Sequence, residues 1–274
     1  EGARVRRVDA EAAGNLQRGE QRGLLRVVGA RVASDDVDAP FALERPQGRL
    51  RCDGGRRGQH VTESRGVDHL AGHRAVFPGE ASLAVAQDRA QEKRFAEAHG
   101  VPVGRYAEIR SQAELDAAIA QIGTPAFLKS ATDGYDGKGQ ARITDAADGT
   151  AAWDSIGHRR AVLEEQINFT AEFSVILARR EDGTVVMWDC PENAHVDGIL
   201  AESRVPAAAE LAGQIATAQA HARRLAEALG HVGVLACEFF ATADGPMFNE
   251  MAPRVHNSGH WTIEGAITSQ FENH

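Results

Sequence analysis

Two turns constrain this chain more than any other feature of its sequence. Residues 173–178 and 184–188 are apolar, strand-forming stretches on either side of Glu181-Asp182-Gly183, and residues 232–242 and 247–251 flank Ala243-Asp244-Gly245 in the same way. Asp-Gly between two such stretches is a hairpin signal, because glycine takes the positive φ that a tight reversal needs. The flanking strands must then pair antiparallel. Between the hairpins, Leu211, Ile215, Ala218, Ala222, Leu225 and Leu229 step by three and four along one helix face, and Gly230 ends that helix. Further upstream, residues 83–99 have a helical pattern that stops at Gly100, and residues 101–109 read as extended. Ser111-Gln112-Ala113-Glu114 is a capping box opening a helix through Ile122 with Gly123 behind it, and residues 125–129 form a buried strand. Strands in hairpins with helices between them define an α+β domain from about residue 81 onward.

The text before it differs in kind. Up to about His73 no helical or strand period persists, and RPQGRLRCDGGRRGQH clusters arginine with glycine. Residues 1–80 carry 14 Arg against 12 acidic residues, whereas the remainder carries 16 basic against 27 acidic. Arginine- and glycine-rich text of this sort is what a G+C-rich gene yields in a shifted frame. Residues 1–77 are therefore expected to be an unassigned, frame-shifted or disordered segment, and 78–274 the folded domain. The chain stops directly after an apolar segment, which reads as a cut-short end.

A net charge of -9 offers no attraction to nucleic acid or to an anionic membrane. No stretch approaches the roughly 18 apolar residues of a membrane span, and the N-terminus lacks the apolar centre of a signal peptide. Cys52, Cys190 and Cys237 are odd in number and far apart, so a reduced, cytoplasmic setting is expected.

Three places could carry chemistry. Lysine occurs only at 93, 129 and 138, and the last two flank a loop with Gly134, Gly137 and Gly139. Closely spaced glycines let backbone N–H groups approach an anion, and the lysines add charge. The loop is neither G-x-x-x-x-G-K-[ST] nor G-x-G-x-x-G, so on spacing a plain hairpin turn and a phosphate loop stand equal. Second, a turn centred on Asp244 places Glu238 opposite Glu250, with the two Cβ atoms about 5 Å apart on one sheet face. Such a pair is unfavourable unless a cation lies between, and magnesium, held by one or two carboxylates plus phosphate oxygens, fits. The alternative is a bulge that turns one glutamate to solvent. Third, residues 249–260 form a polar loop in which Arg254 offers a planar fork for phosphate, carboxylate or bicarbonate.

Other polar residues carry less. His158, His221 and His231 have no partner at metal-ligand spacing and read as surface or core residues. Ser258 lacks the G-x-S-x-G elbow of a hydrolase nucleophile, and Cys190 and Cys237 read as packing residues.

Over residues 78–274 the motifs AQDRAQEKRF, DGYDGKGQ, PENAHVDGIL, FNEMAPRVHNSGHWT and SQFENH occur in order, and with them the chain resembles the 5-(carboxyamino)imidazole ribonucleotide synthase family of ATP-grasp enzymes. The resemblance implies an ATP-grasp core using ATP, Mg2+ and bicarbonate to carboxylate 5-aminoimidazole ribonucleotide in purine biosynthesis. It implies that Arg89, Lys129, Gly134, Tyr135, Asp136, Gly137, Lys138, Gly139 and Gln140 would embrace the ATP phosphates. Glu164, Glu165, Gln166 and Ile167 would form the adenine-contacting link, completed by Glu172 and His195. Glu238 and Glu250, with Asn249 beside them, would hold magnesium. Tyr135, Lys138, Arg254, His256, Asn257 and Ser258 would face the ribonucleotide and the carboxyphosphate intermediate, with Lys138 and Arg254 in the catalytic role.

The family also has a Rossmann-like N-terminal domain and a C-terminal domain with a cationic substrate contact, and neither is found in this sequence. A non-catalytic nucleotide-binding fragment is therefore the main alternative, and another ATP-grasp carboxylase or ligase the second. A homodimer remains open.

Overall fold

A computed structural model describes residues 26–28, 77–132, 139–196 and 198–274. Apart from a short strand at 26–28 and from Phe77, the expectation for residues 1–77 lies outside the described residues, as does the loop centre with Gly134, Tyr135, Asp136, Gly137 and Lys138.

Two sheets form the frame. The larger has the order β1-β9-β8-β6-β10-β11, with β7 added on β6. Its strands are β1 (Arg26–Val28), β6 (Ala171–Arg179), β7 (Val185–Met187), β8 (Glu192–Val196), β9 (Ile199–Arg204), β10 (Gly233–Thr242) and β11 (Gly245–Ala252). The smaller has the order β2-β5-β3-β4, from β2 (Tyr106–Ile109), β3 (Ala126–Ser130), β4 (Gln140–Ile143) and β5 (Ala161–Glu165). Pairing is antiparallel except for β1 on β9, and both expected hairpins are present as β6–β7 and β10–β11.

Alternation sorts each strand's residues between layers. From β6, Phe173, Val175 and Leu177 join Leu235, Cys237 and Phe239 of β10 beneath a helix, α5 (Ala212–Ala228), which contributes Ala218, Ala222 and Leu225. Ile176 and Ala178 face the other way, against Val234 and Ala236. Covered on both faces, these central strands read as continuous apolar runs. In the smaller sheet, Ala126 and Leu128 of β3 pack with Leu163 against a third helix, α3 (Gln112–Ile122), whose buried residues are Leu115, Ala118, Ile119 and Ile122, and against Trp153 of α4 (Gly149–Ser155). Among the described residues no helix is long and apolar enough to cross a membrane.

The structure corrects two local expectations. The single helix over residues 83–99 is two helices, α1 (Glu80–Ala86) and α2 (Arg89–Ala98). Asp88 breaks it: its backbone is extended, and its carboxylate accepts from the N–H groups of Ala90 and Gln91 at 3.0 and 3.2 Å, the geometry of an N-cap. Second, the reversal after β10 is a two-residue turn, with Thr242 paired to Gly245. That turn alone would put Glu238 opposite Asn249. A β-bulge between Phe239↔Phe248 and Glu238↔Glu250 inserts Asn249 as an extra residue and restores the expected Glu238↔Glu250 pair.

Candidate functional site

A cavity of about 440 Å³ lies between the two sheets. On its large-sheet side β10 and the bulge of β11 present Glu238, Phe240, Asn249 and Glu250, and β6 and β8 present Glu172 and His195. From the smaller sheet come Phe127 and Lys129, two residues apart on β3 and hence on the same face, while Ala126, Leu128 and Ser130 point into the buried layer. The end of β5 contributes Glu164 and Glu165 and the link after it Gln166 and Ile167, and Arg89 reaches in from the first turn of α2. Gly139 and Gln140, which follow the glycine loop where β4 begins, line the cavity, and β3 and β4 pair antiparallel on either side of that loop. Gly139 has φ +75°, and an added Cβ would lie 2.4 Å from the Ser130 Oγ.

The carboxylates divide into two environments. Glu164 Oε2 accepts from Lys129 Nζ at 2.9 Å and lies 3.3 Å from Lys93 Nζ. Burial raises its pKa, yet the two ammonium groups outweigh burial and bring it down to about 2. Glu250 is likewise penalised by burial, and the Arg89 guanidinium, donating to it at 2.7 Å, holds it below the ordinary carboxylate range. Among the described residues Glu238 has no such hydrogen-bonded cation. Burial first, then the charge of Glu250, pushes it up to about 8. His256 Nε2 stands 3.8 Å away, but burial pushes that imidazole down to about 4 and leaves it neutral near pH 7. His195 pairs with Glu172, and this contact raises its pKa in spite of burial.

Glu238 and Glu250 thus form a half-buried, directly paired carboxylate set with one hydrogen-bonded cationic partner among the described residues. The described residues contain no group of three or more His, Cys, Asp or Glu side chains able to hold a metal unaided. That donor set suits magnesium, which takes few carboxylates and completes its shell with phosphate and water oxygens.

The link is held from outside. Glu165 accepts from Arg105 N and Nε at 2.7 and 2.8 Å, and Gln166 Oε1 accepts from Arg142 at 2.9 Å. Arg254, His256, Asn257 and Ser258 are not among the lining residues and occupy the turn after β11. Arg254 is exposed and donates to Val255 O at 2.9 Å. Asn257 accepts from Ser258 N at 3.0 Å, and the buried Ser258 hydroxyl lies 2.8 Å from His256 Nδ1. His256 is the member of this group that approaches the carboxylates.

Sequence reading missed Phe127, Phe169, Phe240 and Gly198, which also line the cavity. Phe127 and Phe240 each lie two residues from a singled-out charge on the same strand, so alternation carried a signal for them. Phe169, stacked on Phe240 with ring centroids 4.7 Å apart, carried none.

Two antiparallel sheets closing on a cavity rich in paired charges define the class, and the chain belongs to the ATP-grasp family: the ATP-grasp domain matches residues 94–271. Within that family it is 45% identical over 199 residues to the N5-carboxyaminoimidazole ribonucleotide synthase of Pseudomonas aeruginosa, covering 73% of this chain and 54% of that protein. A crystal structure of the ADP complex of an N5-carboxyaminoimidazole ribonucleotide synthetase is similar with a TM-score of 0.66 and 42% identity, over 70% of this chain and 51% of that one. An Aspergillus clavatus N5-carboxyaminoimidazole synthase in complex with ADP and 5-aminoimidazole ribonucleotide is similar with a TM-score of 0.62 and 30% identity, over 70% and 50% of the two chains. The chain spans about half the length of the curated relatives it matches.

Proposed function

We propose that residues 78–274 form the nucleotide-binding core of an N5-carboxyaminoimidazole ribonucleotide synthase, in which ATP cleavage drives carboxylation of the amino group of 5-aminoimidazole ribonucleotide by bicarbonate. The carrying observation is that one cavity gathers Arg89, Lys129, Glu238, Asn249 and Glu250 beside the link of Glu164, Glu165, Gln166 and Ile167. Arg89 and Lys129 would take the nucleotide phosphates, the link and Phe127 or Phe240 the base, and Glu172 with His195 the ribose end. Glu238 and Glu250 would hold magnesium, whose charge would offset that on the phosphates. Bicarbonate oxygen would take the γ-phosphoryl group and release ADP. The resulting carboxyphosphate would yield its carboxyl carbon to the amine, which loses a proton as phosphate leaves. For these residues the task is positioning and charge neutralisation in a site shielded from water. Gly134, Tyr135, Asp136, Gly137 and Lys138 would close over the phosphates, and Arg254, His256, Asn257 and Ser258 would lie toward the ribonucleotide.

Phosphate release from ATP tests this reading, with bicarbonate present and 5-aminoimidazole ribonucleotide added or omitted. Release that rises with the ribonucleotide is expected. Nucleotide binding without ribonucleotide-dependent release would favour a non-catalytic fragment, and stimulation by glycinamide ribonucleotide instead would reassign the substrate.

Lys129→Met should weaken ADP binding about tenfold or more, since a hydrogen bond to a charged group contributes on the order of 1.5–3 kcal/mol. Calorimetric titration measures it, and a change under twofold would remove Lys129 from the phosphate site.

A further inference from the structure

The carboxylate pair depends on Asn249 being an extra residue in β11, and a bulge at the end of a sheet needs support. Among the described residues β11 is the terminal strand, and its outer backbone groups meet no neighbouring strand there beyond the short bridge from Val103 to Phe248. Helix α2 covers that edge with charged side chains. Glu92 Oε1 accepts from Met251 N at 2.5 Å, and Lys93 Nζ donates to Asn249 O at 3.4 Å. These two backbone groups flank Glu250 on its two sides, while Arg89, one turn earlier on the same helix, holds the Glu250 carboxylate itself. Residues 89, 92 and 93 stand at i, i+3 and i+4, the spacing that places side chains on one helix face. Glu92 and Lys93 are each about 3% exposed. An uncapped N–H or C=O at such depth is costly, which gives this edge a reason to recruit buried polar side chains. Lys93 also lies 3.3 Å from Glu164 at the end of β5, so α2 ties the bulge to the opposite sheet.

We propose that Glu92 and Lys93 are positioning residues that clamp the backbone on either side of Glu250 and so hold the Glu238–Glu250 pair in the geometry that takes a divalent cation. This rests on the metal reading of the pair given above. Neither residue is expected to touch nucleotide, since neither lines the cavity. What Glu92 must supply is an acceptor oxygen, which glutamine also carries and leucine lacks.

Calorimetric titration of the 274-residue chain with ADP, with and without magnesium, tests this, with circular dichroism reporting the fold. Glu92→Gln should keep the gain in ADP affinity that magnesium confers to within about threefold of the starting chain. Glu92→Leu should lower that gain tenfold or more while metal-free ADP binding stays within twofold. Lys93→Met, read in the same way, serves where Glu92→Leu does not fold. A leucine variant with an undiminished magnesium gain, or a glutamine variant as impaired as the leucine one, would overturn the clamp. An unaltered chain in which magnesium adds nothing would instead overturn the metal reading itself, and the clamp with it, before any variant is compared.

Discussion

Glu250→Gln lowers affinity for magnesium-bound ADP by about tenfold or more. The substitution removes one of two carboxylates facing the proposed metal and also strips Arg89 of its partner at 2.7 Å. A contact to a charged group contributes on the order of 1.5–3 kcal/mol, and each 1.4 kcal/mol is about tenfold in affinity. Stability should move in opposite directions at the two members of the pair. In metal-free buffer Glu250→Gln lowers the thermal midpoint because the half-buried Arg89 loses its hydrogen-bonded counter-charge. Glu238→Gln raises it, by about a few degrees, because burial and the like charge of Glu250 stand against Glu238 and no cation among the described residues donates to it. Both variants should lose the response to magnesium. Calorimetry with Mg-ADP and thermal melts in chelator check both halves; equal midpoints for the two variants would mean that Arg89 does not discriminate between the carboxylates.

Glu164→Leu destabilises the chain by on the order of 3–5 kcal/mol at pH 7, because Lys93 and Lys129 then lose the carboxylate that pairs directly with both. The effect should depend on pH with a definite sign. The folded-state pKa of Glu164, about 2, is below the ordinary glutamate value of 4.5. Its contribution is therefore complete above about pH 4.5 and fades as pH falls from there towards 2. The difference between the native chain and the variant should narrow across that window and stay constant above it. Urea unfolding at pH 7, 5 and 3 measures this, and a gap that widens in acid would exclude the assignment.

Much of the fold was legible because the rules involved are short in range. Turn residues at Asp182-Gly183 and Asp244-Gly245, the Ser111 cap and the three- and four-residue steps of α5 act on neighbours within a turn or a strand pair, and each element formed where those signals put it. The Asp88 cap was equally local, an Asp followed three residues later by Gln91, but it was masked by an apolar pattern running across it. The candidate site was legible to the extent that it is built from one hairpin and from motifs carried by family resemblance.

By itself the sequence determined the antiparallel hairpins, the apolar faces and the opposition of Glu238 to Glu250. Only the tertiary structure decided how that opposition is achieved, through a shorter turn offset by a bulge at Asn249, because register along a strand sums local choices that two different turns can satisfy equally. It also decided which sheet faces which cavity, how Lys129 and Lys93 meet at Glu164, and why Glu92, an ordinary acidic residue on a helix in the sequence, lies buried against Met251. Contacts between residues some 160 positions apart depend on packing between elements, and no local pattern encodes them.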